Sequence, residues 1–191
     1  IGNEDGTESG HMIVQYTAAA IVNDLATRAH PASVYSVPTS ANAEDHVSMG
    51  ANEARHVLSM AADLGKVLAL EIYTAAQALD LRRDMINAAR DLARRSDAAG
   101  FAAKVQGAPA DGHPDRERFL EEVEALRAEL ADSEAFHPGI AVSAAHAVLR
   151  EHIAFLDRDR AMDGDVATAV RLVAEGVLLE AARKAEAGEG G

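Results

Sequence analysis

The stretch PTSANAEDHVSMG, residues 38–50, packs an amide, two carboxylates and an imidazole into five positions: Asn42, Glu44, Asp45 and His46. Two kinds of chemistry fit. As capping chemistry, Asn42 serves as an N-cap, Asp45 stands at N3 as a capping-box acid, and Glu44 complements the helix dipole. As binding chemistry, a junction between loop and helix aims a carboxylate and an amide into a cleft, since rigid scaffolds often present sites on such junctions. A second candidate is Glu71, the only charge between Val67 and Leu79. A carboxylate on a packed helix must find a partner, shift its pKa or face outward. Pairing with an Arg, facing water and a catalytic role are all open to it.

Other chemistries lack their spacing. His46 and His56 stand ten residues apart on roughly opposite helix faces, and His146 and His152 are six apart. No HExxH or EF-hand pattern occurs, so no metal site is expected. GxSxG, P-loop and GxGxxG motifs are absent as well. Arg82, Arg83, Arg94, Arg95, Arg158 and Arg160 read as solvated or interfacial.

The elements that position these residues are helical. Val14, Ala18, Ile21, Leu25 and Ala29 predict a helix over about 10–29, stopped by His30-Pro31. Residues 31–41 form a loop rich in Pro, Ser and Thr. Val47, Ala51, Ala54, Leu58, Ala61, Gly65, Leu68, Ile72, Ala75 and Leu79 then alternate steps of four and three. They predict a long helix of about 50 Å with a continuous apolar seam. Val57, Met60, Leu64 and Val67 widen that stripe, so more than one neighbour must cover it. The pattern breaks at Arg82-Arg83, resumes from Met85 to Ala93 and fades. Residues 96–114 read as a surface loop, or a short helix flanked by loops. Further helices are predicted over about 115–131, 140–156 and 165–184, and the last residues read as a frayed tail. The class is all-α, a long-helix bundle. Its expected division is 1–83, carrying the central helices and an active-site loop at 31–46, and 84–191, a C-terminal helical region with a loop near 96–114.

Composition narrows the partners. The 191 residues are rich in Ala and poor in aromatics, with 18 basic against 31 acidic residues and a net charge of −13. That balance opposes a sequence-independent grip on nucleic acid and docking on anionic membranes. Without Cys there is no disulfide, thiol nucleophile or Cys-ligated zinc. No apolar run is long enough to span a membrane. The polar, acidic first ten residues do not form a signal peptide, and the chain begins at Ile1. The expectation is a fragment, a processed product or a trimmed chain.

SGHMIVQYTAAAIVNDL, HPASVYSVPTSANAEDHVSMG and LALEIYTAAQALDLRR resemble the aromatic amino acid ammonia-lyase family, most closely its histidine ammonia-lyase branch. The likeness is dense over residues 9–83 and sparser in DRDRAMDGDVATAVRLVAEG. It implies the C-terminal part of a fumarase/aspartase-like helical fold, a cytoplasmic homotetramer, and active sites built from several subunits. It also implies the electrophile MIO (4-methylideneimidazole-5-one), formed from an internal Ala-Ser-Gly. The implied reaction eliminates ammonia from L-histidine to give urocanate. A tyrosine or phenylalanine ammonia-lyase or 2,3-aminomutase is the alternative.

By this resemblance Glu44 lies near the substrate and accepts a hydrogen bond from its imidazole or amine, and Asn42 shapes the pocket. Three features depart from the histidine pattern: Ala43 in place of Gln, Tyr35 in place of Asp, and a longer stretch over 90–137. The chain contains no Ala-Ser-Gly. The resemblance therefore places MIO and the catalytic Tyr upstream, puts no catalytic residue in this chain, and predicts that the chain alone is inactive. A non-catalytic helical interaction module is the reading of another class. A self-contained four-helix protein has too few large side chains to close its core. The exposed seam of a partial bundle would drive tight self-association.

Overall fold

The computed structural model describes residues 8–105, 109, 110 and 112–188. The expected polar leader and the end of the expected frayed tail lie partly outside those residues, as does part of the predicted 96–114 loop. Among the described residues seven α-helices follow one another: α1 (Met12–Arg28), α2 (Gly50–Arg95), α3 (Ala98–Val105), α4 (Arg116–Asp132), α5 (Ile140–His152), α6 (Asp163–Ala174) and α7 (Val177–Glu186). Two short 3₁₀ turns, Ala32–Val34 and Ser40–Asn42, lie between α1 and α2. No strand occurs among the described residues, so the all-α class holds.

Helix α2 differs most from its sequence reading. It runs unbroken for 46 residues, about 69 Å at 1.5 Å per residue, straight through Arg82-Arg83. Glu53 stands in its first turn and Arg94 and Arg95 in its last, each the charge that its end of the helix dipole favours. The predicted helix over 165–184 is two helices. Gly176 separates them with φ 71°, the left-handed conformation that costs glycine least. Its N–H bonds to the Val173 carbonyl at 3.1 Å, closing the end of α6. A Cβ there would meet nothing within 4 Å. Gly176→Ala is therefore expected to cost only its backbone strain, about 1 kcal/mol. A thermal scan should show a fall of roughly 2–4 °C.

The described residues form two compact units, one from residues 1–77 with 140–191 and the other from 78–139. In the first, Val14 of α1 and Ala69, Leu70, Tyr73 and Ala76 of α2 pack with Leu149, Ile153, Ala169, Leu172 and Leu178. This is only in part the face of α2 that the seam predicted: Ile72 packs against this core, but most of the seam does not. Leu58 is 75% exposed and Leu68 44% exposed, whereas Leu70 and Tyr73 are buried. Both faces are apolar enough to be buried. The 70/73/77 face is the one whose polar tips find partners in α5, α6 and the segments flanking them.

Those partners form a polar brace, buried at Tyr73 and half-buried at Asp165 and Arg160. The Tyr73 hydroxyl donates to Asp165 at 3.1 Å, and Asp165 is ion-paired to Arg160 at 2.8 Å. Burial and the neighbouring Asp165 carboxylate push the Tyr73 phenol up to about 12. Arg160 also donates to the Phe155 and Ala154 carbonyls. His11 stacks on Tyr73 with ring centroids 4.5 Å apart and meets the Thr74 hydroxyl at 3.2 Å. The Asp159 carboxylate accepts the Ser9 and Gly10 N–H groups at 2.7 and 2.8 Å, and these bonds hold it below the usual carboxylate range.

Burial lowers the His11 pKa from 6.5, with the Arg150 and Arg160 guanidinium groups adding to it and Asp165 opposing. The native state therefore resists protonation of this ring more than the unfolded chain does. As pH falls through 6.5 the unfolded chain takes up a proton that the native state resists, so stability is lost from there down to the lower native pKa. His11→Phe keeps a ring against Tyr73 and cannot be protonated. Its melting temperature is expected to vary less than wild type between about pH 7.5 and about pH 5. Parallel profiles would show that His11 contributes nothing to acid sensitivity.

In the second unit, arginines cap the carbonyl ends of neighbouring helices. Arg90 and Arg94 of α2 donate to the Ser133 and Ala131 carbonyls at the end of α4, at 3.0 and 2.9 Å. Arg127 of α4 returns a bond to the Ala93 carbonyl of α2 at 2.6 Å. Carbonyls at helix C-termini lack intrahelical partners and carry partial negative charge, so these cations satisfy both needs. Arg82 lies over the Phe136 ring, 5.4 Å from its centroid.

A left-handed turn and its carboxylate

The segment between α1 and α2 is tied at several points before the chain turns helical. Ser36 Oγ accepts the Val47 N–H at 2.8 Å and donates to the Val47 carbonyl at 3.0 Å. Glu53 in the first turn of α2 accepts the Ala32 N–H. His30 Nε2 and the Tyr35 hydroxyl are 2.7 Å apart. These ties delay α2 to Gly50. The capping reading is thereby corrected, because Asn42 and Asp45 both precede the helix by several residues. Val47, expected to begin the seam, lies in the segment before α2.

Inside these ties sits a tight left-handed turn. Ser40, Ala41 and Asn42 have φ values of 53°, 53° and 71°. No glycine relieves them, and L-residues other than Asn and Asp avoid this region, at about 1–2 kcal/mol each. The turn is closed by an isolated antiparallel bridge between Thr39 and Glu44. The Thr39 N–H donates to the Glu44 carbonyl at 2.9 Å, and the Glu44 N–H returns a bond to Thr39 O at 3.3 Å. Strain of this kind persists only where surrounding bonds over-determine it, and it concentrates at functional positions.

Both residues singled out in the sequence stand on this turn. Asn42 is its last left-handed residue, and its N–H bonds to the Thr39 carbonyl at 3.0 Å. Its side-chain amide makes no hydrogen bond among the described residues. Glu44 follows two positions later, exposed. Its Oε2 accepts the Thr39 hydroxyl at 2.9 Å and lies 3.5 Å from the Ser40 hydroxyl. Sequence reading passed over Thr39 and Ser40. The only available signal was a pair of hydroxyls four and five residues before a carboxylate. Glu71 is exposed on α2 and takes no part in the turn.

Two of the surface grooves among the described residues lie in the same compact unit. One of about 290 Å³ is lined by Leu25, Val57, Met60, Ala61 and Leu64. The other, of about 360 Å³, is lined by α1 residues with Arg160, Met162, Asp163 and Val166. Asn42 and Glu44 line neither. Among the described residues no group of three His, Asp or Glu could hold a metal ion, and no helix is long and apolar enough to cross a membrane.

The family model described as aromatic amino acid lyase matches residues 1–100, just over half of the chain. This chain belongs to the aromatic amino acid lyase family. The matched span holds α1, the tied segment, the left-handed turn and all of α2. Similar proteins include the histidine ammonia-lyase of Chloroflexus aurantiacus, 49% identical over 89 residues, which are 47% of this chain and 17% of that protein. The histidine ammonia-lyase of Natranaerobius thermophilus is 55% identical over 80 residues, 42% of this chain and 16% of that protein. That of Geobacillus thermodenitrificans is 53% identical over 79 residues, with 41% and 16% covered. The matches thus span about a sixth of the length of these relatives.

MIO, the electrophile that this lyase family implies, does not fit the residues present. Ala32-Ser33 is followed by Val34, and Ala98-Ala99-Gly100 has no Ser. What this chain holds is a carboxylate and an amide on a strained turn.

Proposed function

We propose that this chain supplies the substrate-recognition turn of a histidine ammonia-lyase, the enzyme that eliminates ammonia from L-histidine to give urocanate. The reading is supported above all by the held but half-free carboxylate of Glu44. Oε2 is engaged by the Thr39 hydroxyl, while Oε1 accepts no hydrogen bond among the described residues. An imidazole brings an N–H to such an oxygen. A phenyl ring brings none and would strip water from a carboxylate without replacing its bonds. Glu44 thereby favours histidine over phenylalanine, and Asn42 beside it adds an amide that can orient the substrate.

On this reading the chain works within a cytoplasmic homotetramer. MIO and the catalytic Tyr come from protein outside these 191 residues, and the chain alone does not turn over histidine. The deciding experiment is a substrate panel on the native enzyme that carries this segment, with L-histidine, L-tyrosine and L-phenylalanine offered separately. Urocanate formation at the highest kcat/KM supports the proposal. A preference for tyrosine or phenylalanine, or release of a β-amino acid, replaces it with the lyase or 2,3-aminomutase alternative. Urocanate production by the purified 191-residue chain alone would overturn the assignment of the electrophile to other protein.

A further inference from the structure

We infer that Thr39 is the positioning residue for the Glu44 carboxylate. This rests on the reading of Glu44 as a substrate-binding group, and it assigns to Thr39 a task carried out through Glu44. Glutamate has three side-chain torsions, so a free carboxylate on an exposed turn samples many rotamers and must be ordered when a substrate arrives. Thr39 removes that freedom from both ends. Its backbone is bridged to the backbone of Glu44 in both directions, at 2.9 and 3.3 Å. Its hydroxyl donates to Oε2 at 2.9 Å. Ser40, 3.5 Å from the same oxygen, is too far to substitute for it.

The geometry divides the work between the two carboxylate oxygens. Oε2 is occupied by a hydroxyl donor, and Oε1 is left to accept from a substrate N–H. The three left-handed residues between Thr39 and Glu44 shorten the path between the two, which brings the hydroxyl within reach. A valine at position 39 would keep the branched shape and the backbone bridge while deleting only the donor. A serine would keep the donor.

The test compares Thr39→Val and Thr39→Ser in the enzyme that carries this chain, each also combined with Glu44→Ala. One neutral hydrogen bond lost from a preorganised group should lower kcat/KM for L-histidine about 3- to 10-fold in T39V. T39S should recover most of that loss. In the E44A background T39V should cost less than about 2-fold, since the two residues act as one unit. An equal loss in both backgrounds would overturn the inference and make Thr39 a purely structural residue, as would a T39V enzyme with unchanged kcat/KM. An enzyme with no histidine turnover would sink the proposed function instead. The scalar couplings of the Glu44 side chain, measured by NMR in the 191-residue chain, would then decide Thr39 independently. A single rotamer in wild type and T39S that becomes averaged in T39V supports the inference, and identical couplings in all three overturn it.

Discussion

Replacing Gln77 with Met is expected to remove about 2–5 kcal/mol of stability, as two buried backbone groups lose their partners. Gln77 is 1% exposed. Its Nε2 donates to the Leu156 carbonyl at 2.8 Å, and its Oε1 accepts the Leu156 N–H at 3.0 Å. The amide thus pairs with a peptide unit as a neighbouring strand would. This peptide needs it, because α5 ends at His152 and α6 begins at Asp163. Leu156 lies in the irregular segment between them, where no helical partner is available. Methionine has nearly the same length and volume, so little of the effect would come from a cavity. The carbonyl and N–H of Leu156, a residue 4% exposed, would both remain buried without their partner.

The loss is a large fraction of the 5–15 kcal/mol that holds a typical domain. It should appear as a lower urea midpoint with an unchanged slope. Gln77→Glu keeps the acceptor and loses the donor to Leu156 O, but its charge would face Arg150, 3.5 Å from Oε1, so it should be destabilising by less than Q77M. A Q77M midpoint within error of wild type would show that water or local rearrangement satisfies Leu156.

Much of the helical layout can be read from residue spacing, and the reasons for the misses are physical. Steps of four and three marked α2 because 3.6 residues per turn brings such positions onto one face. They did not say which face is buried here, because α2 is apolar on more than one side and spacing counts methyl groups without asking where polar tips go. Tyr73 and Gln77 decide the matter through Asp165 and Leu156, contacts at 92 and 79 residues of sequence separation. Gly176 was visible as a residue, yet a lone Gly in a helical pattern is often tolerated, and only its φ of 71° makes it a break.

The turn shows the same limit. Asn42 and Asp45 have the right types and spacing for a cap, but the Ser36–Val47 clasp and the Thr39–Glu44 bridge hold the backbone in another form and push the helix start to Gly50. Glu44 and Asn42 could be singled out in the sequence, with their roles implied by resemblance. The hydroxyl that holds Glu44 could not, because nothing in a residue string shows that three non-glycine residues will turn left-handed.

Glu44→Gln should produce a large change in activity. If Glu44 accepts the substrate's imidazole N–H, the bond is charge-assisted. Its loss should cost roughly 10- to 150-fold in kcat/KM for L-histidine, the equivalent of about 1.5–3 kcal/mol. Glutamine keeps the length, the acceptor oxygen and a bond from Thr39, so the turn should stay intact and the melting temperature should stay close to wild type. What disappears is the negative charge, together with the penalty it imposes on an apolar ring. Activity toward L-phenylalanine should therefore hold or rise, and the histidine-to-phenylalanine ratio should fall by more than the histidine rate alone. That ratio separates recognition from general damage, because a distorted turn would lower both substrates together. Glu44→Ala should lose histidine activity at least as far as E44Q without the same gain for phenylalanine, because it also removes the side chain that Thr39 holds. An E44Q enzyme whose kcat/KM for both substrates stays within about 2-fold of wild type would show that the carboxylate does not touch the ring. Recognition of histidine would then have to come from residues outside this turn.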